Sequence, residues 1–158
     1  MTPEKTIATN ARRSGKPFPW YCPECGKKAV WRTTVPYTTE ILHDGKLHTV
    51  SIPNLSVPRC EACGEMVFDI EVDQQKQIVM CAVLGLLTSD EIRANRGRLG
   101  VTPRELADHL GVAAATVTDW EEGLSIQSRA MDRFLRVYFQ SPEGRAAVIE
   151  FAAAAPRG

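Results

Sequence analysis

The sequence predicts an α+β protein: a small N-terminal β-module held by cysteines, then an all-α domain of five helices. Three observations carry this. Two C-x-x-C-G units, beginning at Cys22 and at Cys60, bracket a segment of strand-like alternation. From residue 71 onward, apolar residues recur at every third and fourth position instead of every second. Two Thr-x-x-Glu boxes, Thr88 to Glu91 and Thr102 to Glu105, then announce helix starts.

The chain has 158 residues, enough for one ordinary domain or two small ones. Its 19 basic and 19 acidic residues cancel, and neither half is strongly basic. Bulk charge therefore gives no support for nucleic-acid binding, and any such contact must come from a local patch. No apolar run reaches the roughly 18 residues of a membrane helix, and the N-terminus lacks an apolar signal core. The expected compartment is the cytoplasm, where five cysteines point to metal or core roles before disulfides.

Residues 1–19 are polar and carry Arg12, Arg13 and Lys16, which reads as a flexible basic arm. Residues 20–70 form the β-module. In Cys22-Pro-Glu-Cys25-Gly26 and Cys60-Glu-Ala-Cys63-Gly64, two intervening residues let both thiolates of a knuckle face one ion at ~2.3 Å. The glycine after each pair permits a positive φ, so backbone amides can approach the sulfurs. Four thiolates fill a tetrahedral site, which predicts one structural Zn2+ per chain on Cys22, Cys25, Cys60 and Cys63. Between the knuckles, Val30 to Leu42 is strand-like, Asp44-Gly45 supplies a tight turn, and His48, Val50 and Ile52 share one face of the return strand. Pro36, Pro53 and Pro58 are expected to keep these strands short or at edges. Met66–Ile70 is a candidate last strand. His43 and His48 are read as surface or strand residues, not ligands. So small a module has too little core to fold alone, and the metal should supply much of its stability.

Residues 71–87 form a linker helix whose apolar stripe is Ile78, Val79, Ala82, Val83, Leu86 and Leu87, with Cys81 beside it as an unreactive thiol. Residues 88–158 form the helical domain. Its first helix is predicted to turn Ile92 and Leu99 inward and Arg93, Arg96 and Arg98 outward. Thr102, Pro103 and Glu105 open the second helix, on which Leu106 and Leu110 share a face with Ala107 beside them. Gly111 makes the turn, Val117 and Trp120 face inward on the third helix, and Gly123 ends it. Ser128 caps a helix with Met131, Phe134, Leu135 and Tyr138 inward. Ser141-Pro142 starts a last one, whose Val148, Ile149 and Phe151 form either core or a dimer seam. Two short helices joined at a glycine are the helix-turn-helix pattern, in which the second helix enters the DNA major groove. A plain helical hairpin is the alternative.

Residues 102–123 resemble the Xre/Cro-type helix-turn-helix family at Ala107, Gly111 and Val117 and in the closing Trp120-Glu121-x-Gly123. The pair CPECG and CEACG, with LTSDEIRANRGRLG and RELADHLGV, makes residues 20–140 resemble the MqsA-type antitoxins, the YgiT-type zinc-finger family. The resemblance implies a structural zinc, a helix-turn-helix domain that dimerises on a palindromic operator, and a zinc module that holds a ribonuclease toxin. Where that family reads bases with an Asn and an Arg, this chain has Ala115 and Asp119.

The leading expectation is a zinc-containing DNA-binding transcriptional regulator, an antitoxin-like autorepressor of its own operon, acting as a homodimer through the C-terminal domain. Arg93, Arg96, Arg98 and Arg104, with Arg129 as a further candidate, would meet phosphates. Ala114, Ala115, Thr116, Thr118 and Asp119 would face the bases, where Ala and Thr pack on thymine methyls and Asp accepts from cytosine. Asp119, Glu121 and Glu122 make the same helix acidic, which opposes phosphate approach. That conflict motivates the alternative, a zinc-stapled inhibitor or scaffold with little DNA affinity. No nucleophile–base set, Gly-rich phosphate loop or open metal position is present, so no enzyme is expected.

Overall fold

The structure, a computed structural model, describes residues 15–156. Most of the expected basic arm lies outside that range. The chain divides into two compact units. One contains the described residues up to Thr39 together with Thr49–Lys76; the other contains Glu40–His48 and the described residues from Gln77 onward. The division differs from one at residues 70 and 88 because the turn between the two long strands joins the helical unit.

The first unit is built on a three-stranded sheet of order β1-β2-β3, with β1 at Trp20–Tyr21, β2 at Lys28–His43 and β3 at Lys46–Cys60. β1 pairs antiparallel with β2, Trp20 opposite Val30. The prolines do not shorten the strands: β2 runs 16 residues through Pro36, and β3 runs 15 through Pro53 and Pro58. The reason is that, among the described residues, β3 has no further strand on its outer side beyond one bridge at Arg59, and β2 is covered only by two-residue β1, so a missing N–H can face away from the ladder. Met66 makes a single bridge to Arg59 and no strand, and Ile70 already begins α1, Ile70–Leu84. Buried Asp69 caps that helix through the Val72 N–H at 3.0 Å and binds Arg32 at 3.1 Å. Gln75 closes the helix on β3 by exchanging two hydrogen bonds with the Ser56 backbone.

The buried face of α1 corrects the sequence stripe. Val72, Gln77, Cys81 and Leu84 point inward, whereas Ile78, Ala82 and Val83 are exposed. The helix stops at Leu84, because Gly85 adopts φ 68° and the Leu86 N–H returns to the Cys81 carbonyl, a Schellman-type ending. Leu86 and Leu87 are buried, but beyond the helix. Cys81 is fully buried; burial first, then the charges of Asp132 and Glu91, pushes its thiol up to about 11, so it is inert at neutral pH.

The helical unit holds the five expected helices: α2 Ser89–Leu99, α3 Pro103–Leu110, α4 Ala114–Glu122, α5 Arg129–Gln140 and α6 Pro142–Ala154. Both capping boxes form. Thr88 and Glu91 exchange bonds of 2.8 and 3.2 Å, Thr102 and Glu105 bonds of 2.7 and 3.1 Å. Gly100, Gly111 and Gly123 end their helices in the left-handed region. One core gathers Ile92, Leu106, Ala107, Leu110, Val117, Trp120, Leu135, Tyr138 and Phe139. Each fully buried leucine there contributes roughly 1.5–3 kcal/mol of apolar burial. On α6 only Val148 is buried; Phe151 is 71% exposed.

Candidate metal centre and nucleic-acid interface

The two cysteine knuckles adopt the same turn. The Gly26 N–H donates to the Cys22 carbonyl at 3.0 Å and the Gly64 N–H to the Cys60 carbonyl at 2.8 Å. The glycines sit at φ 74° and 79°, which a side chain would strain. In both knuckles the first cysteine's N–H donates to the carbonyl five residues on, Lys27 or Glu65, at 2.8 Å. The Glu61 N–H donates to the Ala29 carbonyl at 2.9 Å, fastening the second knuckle beside the start of β2.

These turns bring the four sulfurs within 4.8 Å of one another. Cys22 and Cys63 lie 3.6 Å apart, Cys25 and Cys60 3.7 Å. A tetrahedral ion with thiolate bonds of ~2.3 Å needs sulfurs about 3.8 Å apart, so the donor set fits one closed four-thiolate centre. Electrostatics point the same way. The backbone amide at Cys25, then that of Glu24, draws the Cys22 thiol down to about 7. At Cys63 the Glu65 amide also pulls down, but burial and the three neighbouring thiols push it up to about 12. Sulfurs this close ionise together only around a cation. His43 is the last residue of β2, in line with its reading as a strand residue, and its Nε2–H donates to the Gln127 carbonyl at 2.9 Å.

On the helical unit, α3, Gly111 and α4 form the expected pair. Val117 and Trp120 bury the inner face of α4, and Ala113, Ala114 and Ala115 are exposed on the outer one. Thr116, Thr118 and Asp119 are half-buried, and the Thr118 hydroxyl donates to the Ala114 carbonyl at 3.2 Å. Of the first-helix arginines, Arg93 and Arg98 are exposed as expected, and Arg96 is not. Arg96 turns inward, not outward: its Nε and Nη2 fork onto the Glu121 carboxylate at 2.5 and 3.3 Å, and its Nη1 donates to the Val101 carbonyl at 2.9 Å. Arg93 donates to the Glu121 carbonyl and pairs with Asp90 at 3.5 Å. Arg98 reaches the Phe139 carbonyl at 3.0 Å, and Arg129 the Leu84 carbonyl at 2.6 Å. Arg104 is exposed and makes no hydrogen bond or ion pair to any described residue.

Glu121 was thus misread from sequence as a surface acid. It is 6% exposed and neutralised by Arg96. The signal was present: Val117, Trp120 and Glu121 stand at i, i+3 and i+4, one helical face. The charge opposing DNA on α4 falls to Asp119 and Glu122. Arg133, exposed on α5, makes no hydrogen bond or ion pair to any described residue, and was not singled out from the sequence.

Residues 89–148 match the family model of a helix-turn-helix domain. A search of curated proteins finds no match to the chain. The chain thus carries a helix-turn-helix domain, the fold of a DNA-binding regulator, beside a four-cysteine cluster suited to a metal ion. No helix among the described residues is long and apolar enough to cross a membrane.

Proposed function

We propose that this protein is a zinc-containing transcriptional regulator that binds a palindromic operator as a homodimer and represses its own operon, in the manner of an antitoxin. The observation that carries the reading is α4: its inner face is locked by Val117, Trp120 and the Arg96–Glu121 pair, while its outer face of small side chains is open. Ala114 and Ala115 suit thymine methyls, and Asp119 suits a cytosine amino group. Arg104 and Arg133 are cations of this unit with no hydrogen bond or ion pair to a described residue and are the candidates for phosphate; Arg93, Arg96, Arg98 and Arg129 are engaged within the fold. Zinc is the reading for the metal because four clustered thiolates select a soft tetrahedral ion and leave no open position for catalysis. The protein is accordingly read as a regulator and not an enzyme.

The test is a titration of the metal-loaded protein against its own promoter region and against scrambled DNA, at two salt concentrations. Preference for the promoter by a dimer, weakening with salt, is the expected result. Equal binding to both DNAs, or none at low salt, overturns it. The second reading, a zinc-stapled module that holds a toxin or other protein, draws on Asp119 and Glu122 beside the open face of α4. Retention of a small partner by the full chain with no promoter preference would favour it.

A further inference from the structure

The tip of the β2–β3 hairpin is used by neither the metal centre nor the open face of α4. Its turn is Asp44-Gly45, at φ 51° and 75°. A non-glycine residue there is uncommon, and Asp is among the types that tolerate it. The Asp44 carboxylate accepts the Arg129 backbone N–H at 2.9 Å. Arg129 is the first residue of α5, so that N–H has no partner within the helix. Ser128, the local cap, serves a different amide, that of Met131, at 3.1 Å. The helix therefore has one cap from its own sequence and one from a turn 85 residues away. The carboxylate also faces the positive end of the helix dipole. Alongside, His43 donates to the Gln127 carbonyl, and Ile41 packs on the cluster of Cys81, Leu84 and Leu86 with Ile126.

We propose that the hairpin tip is a strap that caps α5 from outside, so that drawing the tip away uncaps the helix following α4. The strap ties the hairpin tip to the first turn of α5, and it does not rest on the identity of the operator. Leu42 and Leu47, 74% and 63% exposed, flank the turn on its solvent side.

The experiment is amide hydrogen exchange on the full metal-loaded chain. In the unaltered protein the Arg129 amide is protected, although first-turn amides ordinarily are not; its free exchange would overturn the strap at once. Asp44→Gly keeps the positive-φ turn and removes only the carboxylate. It should speed Arg129 exchange by about fivefold, the usual effect of losing a cap, and leave Met131 and Leu135 unchanged. Asp44→Asn keeps an acceptor and should preserve most of the protection. Unchanged Arg129 exchange in Asp44→Gly, or equal losses at Met131 and Leu135, would refute the capping role.

Discussion

In the sheet unit, the apolar cluster beside the knuckles is Trp20, Cys22, Val30, Cys60 and Val67, so two of its five buried members belong to the cysteine set that could hold a metal ion. In the helical unit, the corresponding cluster runs from Leu87 to Val148 and is wholly aliphatic and aromatic. Two units of one chain have thus solved the same problem differently. The sheet unit also buries Val50, Ile52, Leu55, Val57 and Val72, but a sheet of two long strands and one short one is expected to draw much of its stability from a metal held at the knuckles. Five helices around one core bury enough for hydrophobic burial and helix caps to suffice.

The largest effect should come from removing a metal donor. Structural zinc contributes apparent binding energies of about 10–16 kcal/mol, comparable to the whole stability of a domain. Cys60→Ser, or a strong chelator, should unfold the sheet unit and leave α2–α6 helical. Amide spectra would show the resonances of β1–β3 collapsing while those of Leu106 and Leu135 stay dispersed. Survival of the sheet resonances after the metal is removed would break the comparison. Acid should act like the chelator. Metal loading displaces protons from thiols, and even Cys22, drawn down by backbone amides, sits at about 7. Affinity should therefore fall steadily as pH drops below neutrality.

The next effect belongs to the helical unit. Glu121→Ala leaves Arg96 without its carboxylate among mostly buried groups. The cost should be about 3 kcal/mol, as for other buried pairs that lose one partner. Glu121→Gln keeps the shape and part of the hydrogen bonding, and should cost less. Thermal melts followed at helical wavelengths should show both losses with the metal still bound. Promoter binding by folded Glu121→Gln tests positioning: weaker binding means that the pair sets the angle of α4, and unchanged binding means that it only stabilises.

The pair also shows what the sequence made legible. Motifs with fixed local spacing were readable: both knuckles, the Asp-Gly turn, both capping boxes and Gly111, because their physics is complete within about five residues. Inward polar residues were not read. Glu121 was read as a surface acid and Asp132 and Gln77 were not singled out, yet all three are buried. Their partners, Arg96, the Leu87 N–H and Ser89, are 25, 45 and 12 residues away. Val30 to Leu42 was legible as a strand, but the run of β3 on through Pro53 and Pro58 to Cys60 was not: proline forbids a paired N–H, and only the topology shows that β3 lies at an edge.

Asp132 yields a pH prediction for the helical unit. Burial opposes its charge, but hydrogen bonds from Arg136 at 2.8 Å, the Leu87 N–H at 2.7 Å and Gln127 at 3.1 Å outweigh that and hold its carboxyl below the ordinary range. A lowered folded value means that the stabilisation is present above the unfolded value, near pH ~4, and is lost as pH falls through the folded one. Helical stability should decline below pH ~4 in the unaltered protein and decline less in Asp132→Asn, which starts lower. Parallel acid melts of the two would remove Asp132 from the argument.

The smallest effect is the most diagnostic for function. Arg104 stands at the start of α3, exposed and unengaged, so Arg104→Ala should leave both units' stability unchanged within about 0.5 kcal/mol. If Arg104 meets a phosphate, its loss should weaken binding to promoter and scrambled DNA alike and reduce the slope of log affinity against log salt by about 0.9. Arg98→Ala should behave oppositely, because Arg98 is tied to the Phe139 carbonyl: some stability lost, and the salt slope kept. The two arginines differ by six residues in sequence and were indistinguishable there. A shared slope change would mean that the helical unit spends both cations on DNA, and the division between free and engaged arginines would have to be redrawn.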